Sequence, residues 1–375
     1  MDGMADRHVS RHPALAARNI GLKIVRRALR VHTPVVRAAR RARRVRERFG
    51  HRRDELWITR DIAAIARGHA PIVAGPWLGE VGYETLYWIP FLRWFEDAFR
   101  IDPQRVIALS RGGVDQWYSG LAGRYVDLFD FFTLDEFGER NATRRSETEG
   151  GGQKQSGLGV FDREILSRVQ RHLGYSEIRV FHPALLFGLF KQFWLGNQSI
   201  DYLWQHTRFE RQPPPPPAAL DLPADYVAAK FYTGTALPDS DVTRRALRTL
   251  VSRVAEQRPV VVLDAGIVVD EHKDYLFDGL PNVHTLRGAL PTRVNLGVQT
   301  QVIAGARQFI GTCGSLAWLA PMLGVPTIAV FADDRLLTPH LLVARQAYRA
   351  AGAARFATLD LRAVDRLHLL DGLSR

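Results

Sequence analysis

Cysteine is almost absent from this chain: Cys313 is the single one in 375 residues. A lone thiol excludes a disulfide framework and a cysteine-built zinc site. It sits beside a glycine turn, but no local His or Asn signature accompanies it, so it is not read as a nucleophile. No run of 18 apolar residues occurs, so no transmembrane helix is expected. No uninterrupted apolar stretch lies near the N-terminus, so a secretory signal is not expected either. Net charge is missing from most of the chain. The net charge is +12, but residues 1–53 alone hold 16 Lys/Arg against 3 Asp/Glu, and the remainder is close to neutral. A near-neutral body carries nothing that suggests a nucleic-acid surface, so nucleic acid is not expected as a partner.

What is present reads as a globular protein, 46% hydrophobic and 24% charged, long enough for two domains with full cores. The basic arm, 1–55, reads as two amphipathic helices. Leu15, Leu22, Val25 and Leu29 recur among arginines over 14–32, Pro34 breaks the pattern, and a second basic helix runs on from Val35. Such helices suit an anionic membrane surface, here through residues 14–53, at about 1 kcal/mol for each arginine near the lipid. The competing reading is a solvated extension, or one laid on the protein's own acidic surface. The run QPPPPP at 212–217 is the clearest boundary, since consecutive prolines favour an extended semi-rigid spacer. The division is therefore a 1–55 arm, a 56–211 domain, a 212–224 linker and a 225–375 domain.

Strands and helices alternate on both sides of that linker, which predicts parallel sheets. On the first side the strands are Ile72–Ala74, 105–110 and 177–183, with a polar glycine-rich loop over 141–157 and an apolar, aromatic stretch from Phe187 to Trp204 as an acceptor-side wall or a greasy surface. On the second side 225–234, 259–266 and 282–288 are strands, 241–257 and 295–306 are helices, and the tail from Leu341 is helical. The most ordered stretch is 302–331. A short strand at 308–310 feeds the turn Gly311, Thr312, Cys313, Gly314, Ser315. Leu316, Leu319, Met322 and Leu323 then recur at helical spacing, Gly324 ends the helix, and Thr327–Phe331 is a second strand. A helix beginning on a glycine turn presents backbone N–H groups to an anion; an ordinary βαβ unit would use the same glycines only to close the turn.

The segment FIGTCGSLAWLAPMLGVPTIAVF resembles the donor-site segment of GT-B fold glycosyltransferases, nearest to the heptosyltransferase-like group, whose members read FVG-(D/N)-(S/T)-G, HLAAALG and VPTIALFG. The likeness covers about thirty residues well and the rest loosely. The family's acidic turn residue is replaced here by Thr312 or Cys313, and its histidine falls near Trp318. What the resemblance implies is an α/β chain of two Rossmann-like domains, GT-B-like, here with the basic helical arm added. It also implies a nucleotide-sugar donor in the second domain, an acceptor in the first, and no cofactor or bound metal.

A second strand–glycine loop–helix, PIVAGPWLGEVGYETLYW, opens the first domain. Gly79, Glu80, Pro90, Phe91 and Leu92 resemble the family's loop pattern, and the carry-over makes Glu80 the candidate base. The chemistry agrees: an inverting sugar transfer needs a carboxylate to take the acceptor hydroxyl's proton, and a loop at a strand's carboxyl end faces the ligand crevice of an α/β sheet. Glu84, one turn on, is the rival, and a helix-start charge is the structural alternative. Gly79, Gly82, Tyr83 and Arg111 complete the acceptor side. Trp77, Tyr83, Tyr87 and Trp88 suit sugar stacking or, more often for such spacing, core. His182 reads as a satisfied structural histidine.

On the donor side, Lys230, Thr233 and Gly234 follow the first strand, and a lysine there can meet a leaving diphosphate without a metal. Asp264, Asp270 and Glu271 sit where the family contacts sugar or ribose. Gly311, Thr312, Gly314 and Ser315 form the turn. Asp333 and Asp334 read as loop or sugar contacts, not as a metal pair. The function expected is transfer of a hexosyl or heptosyl unit from a nucleotide sugar to a glycan or lipid-linked acceptor of cell-surface polysaccharide, in the cytoplasm, on the inner face of the membrane. The alternatives are a sugar-nucleotide-binding or scaffold module without catalysis, and a GT-B-fold epimerase or pyruvyl transferase; the last would carry an Arg-x-His in the donor helix, which is absent.

Overall fold

The computed structural model describes residues 53–146, 155–267 and 272–366. The chain divides into Met1–Trp57 and Ile58–Arg375. Of the first unit, 53–57 are described and helical, so the basic arm lies outside the described residues but for its end. The second unit opens with helical residues 58–66 and holds two sheets.

β1 (Ile72–Ala74), β2 (Val106–Ser110), β3 (Arg124–Asp127) and β4 (Arg179–Phe181) form the first, in the order β3-β2-β1-β4. β5 (Val227–Lys230), β6 (Val260–Val262), β7 (Val283–Thr285), β8 (Gln308–Thr312), β9 (Thr327–Phe331) and β10 (Phe356–Asp360) form the second, in the order β10-β9-β8-β5-β6-β7. Every pairing is parallel. The central strands read VIALS, VVV and TIAVF because helices cover both faces of a parallel sheet. The two Rossmann-like sheets expected from the resemblance are thus the ones observed. The segment 212–224 runs without helix or strand between them.

One continuous helical run, 81–99, organises the first sheet. It comprises Val81–Tyr83, a π-turn Glu84–Trp88 and Ile89–Phe99. Pro90 has no N–H for the ladder, and the wide π-turn sits just before it. Arg100 at φ 53° closes the run by donating to Asp97 and Glu96 carbonyls. Its inner face carries Trp88, Phe91 and Phe95, all packed on Phe181 of β4, with ring centroids 5.4, 5.2 and 4.2 Å away. Trp77, Tyr87 and Trp88 are buried, so these aromatics are core, not sugar platforms. The stretch 187–204 is mostly core, not a greasy surface: it forms the helices Pro183–Trp194 and Ile200–Gln205, with Phe187, Leu189, Phe190, Phe193 and Leu203 buried, and only the connection 195–199 is exposed throughout.

Three further expectations change. Residues 141–146 belong to the helix Leu134–Ser146, not to a loop, and Gln155 is buried at 1% exposure. The tail is the helix Thr338–Ala351 followed by β10, which extends the second sheet. The helix after β8 is one turn, Leu316–Leu319, continued as a 3-10 turn through Leu323 and closed by Gly324 at φ 88°.

Candidate active site

The cleft is built from segments at or just beyond the strand ends. Glu80 and Val81 lie beyond β1, Arg111 and Gly112 directly after β2, and Phe129 just beyond β3. Lys230 ends β5 and Tyr232 comes soon after it; Ile267 lies beyond β6, and Ser315 and Leu316 beyond β8. All of these line one cleft, with about 830 Å³ of empty space when its open mouth is included. Thr292, Asn295, Leu296 and Gln299, on the way into β8, complete the wall together with His272 and Asp274. The carboxyl ends of parallel strands from both sheets therefore converge on the same opening, where α/β sheets bind ligands.

Glu80 caps the run 81–99, at φ −67° and ψ 145°. Its backbone carbonyl accepts from Trp77 Nε1 at 3.3 Å. Arg111, 4% exposed, holds the preceding loop by donating to the carbonyls of Trp77 (3.1 Å) and Gly79 (2.6 Å). Gly79 thus serves the loop through its carbonyl. Glu84 does not line the cleft. It is fully buried, and its Oε1 accepts from Ser110 Oγ and Tyr118 OH, each at 2.6 Å. Its Oε2 has no hydrogen-bond partner. Burial pushes the Glu84 carboxyl up to about 7, against the lowering effect of the Arg111 charge and the two hydroxyls.

Lys230 Nζ donates to the Leu263 carbonyl at 2.7 Å and pairs with Asp274 Oδ2 at 2.8 Å. Ser315 stands at φ 43°, ψ −124°, and caps the one-turn helix without a side-chain hydrogen bond. A Cβ on Gly82 would lie 2.8 Å from Ser315 N, so that amide packs against the 81–99 run. A single turn carries little of a helix dipole, and the expected anion site at this helix start is reduced accordingly.

The other expected residues hold the frame. Thr312 Oγ1 accepts from Tyr232 N at 2.9 Å. Gly311 lets β8 approach β5, since a Cβ there would meet Lys230 O at 2.6 Å, and at Gly314 one would meet Tyr232 OH at 2.6 Å. Thr233 is tied to Lys273 by N–H to carbonyl (2.8 Å) and by Oγ1 accepting from Lys273 N (3.0 Å). Gly234 N donates to Leu237 O at 3.1 Å. Asp264, 2% exposed, accepts from Thr285 Oγ1 and from Arg287 at 2.8 Å, so its carboxylate is committed inside the sheet. Glu271 and Asp270 lie outside the described residues. Tyr83 joins Tyr87 and His340 away from the cleft lining, with Tyr87 OH 2.6 Å from His340 Nδ1. Asp333 binds Arg335. Cys313 is buried, and burial pushes its thiol up to about 12, which removes it as a nucleophile. His182 is satisfied on both nitrogens, as its reading required: Nδ1 accepts from Ala184 N at 3.1 Å, and Nε2 lies 3.0 Å from Asp162 Oδ1.

Of the expected site residues, Glu80, Arg111, Lys230 and Ser315 are brought together. Asp274, Asn295 and Gln299 were missed. Asp274 becomes visible only through its pair with Lys230, and the amides only through the packing of the helix Asn295–Gly305. Among the described residues there is no group of three or more His, Cys, Asp or Glu arranged for a metal ion, and no helix long and apolar enough to cross a membrane.

No family model matches the chain, and no curated protein matches it in sequence. Among solved structures it is similar to the heptosyltransferase WaaC of E. coli with ADP, at 14% identity and TM-score 0.39 over 79% of this chain and 98% of that one. It is also similar to the iron-containing dodecameric glycosyltransferase TibC of enterotoxigenic E. coli (13%, TM-score 0.37), covering 70% of this chain; it spans 58% of TibC's length. A putative UDP-N-acetylglucosamine 2-epimerase of Listeria monocytogenes is similar at 11% and TM-score 0.34, over 82% and 89%. Likenesses at these scores fix no substrate for this chain.

Proposed function

We propose that the cleft takes a nucleotide-sugar donor and moves its hexosyl or heptosyl unit to a hydroxyl of a glycan or lipid-linked acceptor in cell-surface polysaccharide synthesis. One observation carries this reading: strand ends of two parallel sheets share a single cleft, with a carboxylate, Glu80, from the first and a cation, Lys230, from the second. Glu80 takes the acceptor proton as the oxygen attacks the anomeric carbon. Lys230 meets the charge that grows on the leaving diphosphate, so no resident metal is called on. The residues 14–53 dock the enzyme on an anionic membrane from the cytoplasmic side, a reading that rests on their charge.

The test is release of nucleoside diphosphate from uridine, guanosine and adenosine diphosphate sugars by the full chain. One donor is expected to turn over, and Glu80→Gln to lower kcat by about 10²–10⁴-fold with the donor KM unchanged. A Glu80→Gln protein as active as the original would remove the base assignment. The second reading, sugar-nucleotide binding without transfer, is favoured by the Lys230–Asp274 pair, which already neutralises the donor-side cation. It predicts tight nucleotide binding and no turnover with any acceptor.

A further inference from the structure

The Glu80 loop, 75–80, leaves β1 and must turn into the 81–99 run with no ladder of its own. Gly75 N donates to Phe181 O at 3.0 Å and Trp77 N to Leu109 O at 2.9 Å, which ties the loop's start to β4 and β2. Arg111 takes the carbonyls of Trp77 and Gly79. Two further backbone groups go to one side chain. Gln155 Nε2 donates to Pro76 O at 2.8 Å, and Leu78 N donates to Gln155 Oε1 at 2.9 Å. The carboxamide thus pairs with the loop on both edges, as a neighbouring strand would.

Gln155 is itself fixed. Its Nε2 also reaches Asp162 Oδ1 at 3.0 Å, and the same oxygen accepts from His182 Nε2 at 3.0 Å, while Asp162 Oδ2 accepts from Gly159 N at 2.8 Å. Nδ1 of His182 accepts from Ala184, so the ring's proton sits on Nε2 and points to the carboxylate. Gln155 and Asp162 are each 1% exposed, and every polar atom of the carboxamide and carboxylate is used. Burial alone would raise the Asp162 carboxyl; the hydrogen bonds from His182, Gly159 and Gln155 outweigh it and hold it below its ordinary value.

We infer that Gln155, held by Asp162 and His182, is the positioning residue of the Glu80 loop and sets where the Glu80 carboxylate stands in the cleft. This rests on the proposed role of Glu80 as base. Nothing but a carboxamide serves. Methionine fills the volume but bonds neither Pro76 nor Leu78. Glutamate accepts from Leu78 but offers no N–H to Pro76 and sets a carboxylate against Asp162.

The experiment compares the full chain with Gln155→Met and Gln155→Glu, each alone and combined with Glu80→Gln. Hydrogen exchange over 75–80 is expected to quicken by about tenfold or more at Leu78, with exchange of β5–β9 unchanged. With the sugar nucleotide that the original protein turns over, kcat is expected to fall about 100-fold, the effect of a misplacement near 1 Å, while donor KM holds. In the Glu80→Gln background the Gln155 substitution is expected to add nothing, because both act through one carboxylate. Additive losses would overturn the inference, as would unchanged exchange or an unchanged kcat. If the original protein turns over none of the sugar nucleotides, the functional reading fails and takes the positioning role with it; the exchange data then decide separately whether Gln155 holds the loop.

Discussion

Glu80 and Glu84 show how four residues separate two carboxyls chemically. Glu80 lines the cleft, whereas Glu84 is buried beneath it with one oxygen unpartnered. The Glu84 carboxyl titrates near 7 in the fold against an ordinary 4.5. The unfolded chain gives up this proton first, so the folded protein holds the extra proton between those values, and stability falls as pH rises through that window. Glu84→Gln removes the penalty. Its gain over the original protein is expected to grow from pH 4.5 to above pH 7, reaching at most about 3 kcal/mol, as read by denaturant melts at both ends. A gain independent of pH would show that Glu84 is not the group titrating.

Lys230 gives the second prediction at this scale. Its pair with Asp274 is partly buried, at 16% and 19% exposure. Asp274→Asn frees the cation for a phosphate and is expected to tighten nucleoside diphosphate binding by about fivefold, of order 1 kcal/mol, measured by calorimetry. Weaker binding in that variant would mean that Asp274 itself meets the ligand. The place of Lys230 in the cleft was legible because it closes an apolar strand. That of Asp264 was not: its partners, Thr285 and Arg287, come from β7 and the turn after it, and a strand-end aspartate reads the same whether a ligand or the sheet claims it.

Elements were legible where burial wrote itself into the sequence. β1, β2, β5, β6, β8 and β9 are apolar runs because both faces are covered. β3 and β10 were missed because they are edge strands, RYVD and FATLD, with half-exposed faces. The helix Leu134–Ser146 was missed because it carries mostly polar and charged residues over a single buried Phe137 stripe. Close approach between elements was invisible. The helix Asn295–Gly305 meets the loop after β2 so closely that a Cβ on Gly297 would lie 2.2 Å from Gly113 O, and Gly297 N donates to Gly112 O at 2.9 Å. Gly297→Ala must therefore shift backbone, and is expected to cost about 1–3 kcal/mol in thermal or denaturant melts. Gly138→Ala, on a helix with nothing within 4 Å of the added Cβ, is expected to be neutral or to gain up to about 1 kcal/mol. Equal effects at the two sites would contradict the packing described between the sheets' loops.

At the scale of the whole molecule, two parallel sheets aim their strand ends at one cleft, and the charge of the chain is gathered outside them in residues 1–53. The full chain is expected to bind vesicles containing phosphatidylglycerol at low salt, to leave them at high salt, and to ignore phosphatidylcholine alone. Equal binding to neutral vesicles would contradict an electrostatic arm. The two-sheet plan was readable because the alternation of strands and helices, and the proline run between them, are local signals. The identity of the cleft's wall was only partly readable: Glu80, Arg111, Lys230 and Ser315 stand out at strand ends and turns, whereas Asp274, Asn295 and Gln299 reach it through contacts made by the fold.

A donor site in this cleft is put to its sharpest test by a thermal-shift panel of ADP, UDP, GDP and their sugar conjugates on the full chain, repeated with Lys230→Ala. A ligand far above its dissociation constant adds about 2–4 kcal/mol to stability. One nucleotide is expected to raise the midpoint clearly, and Lys230→Ala, folded as well as the original, to lose most of that rise. No shift with any nucleotide, or an equal shift in Lys230→Ala, would contradict a donor site there.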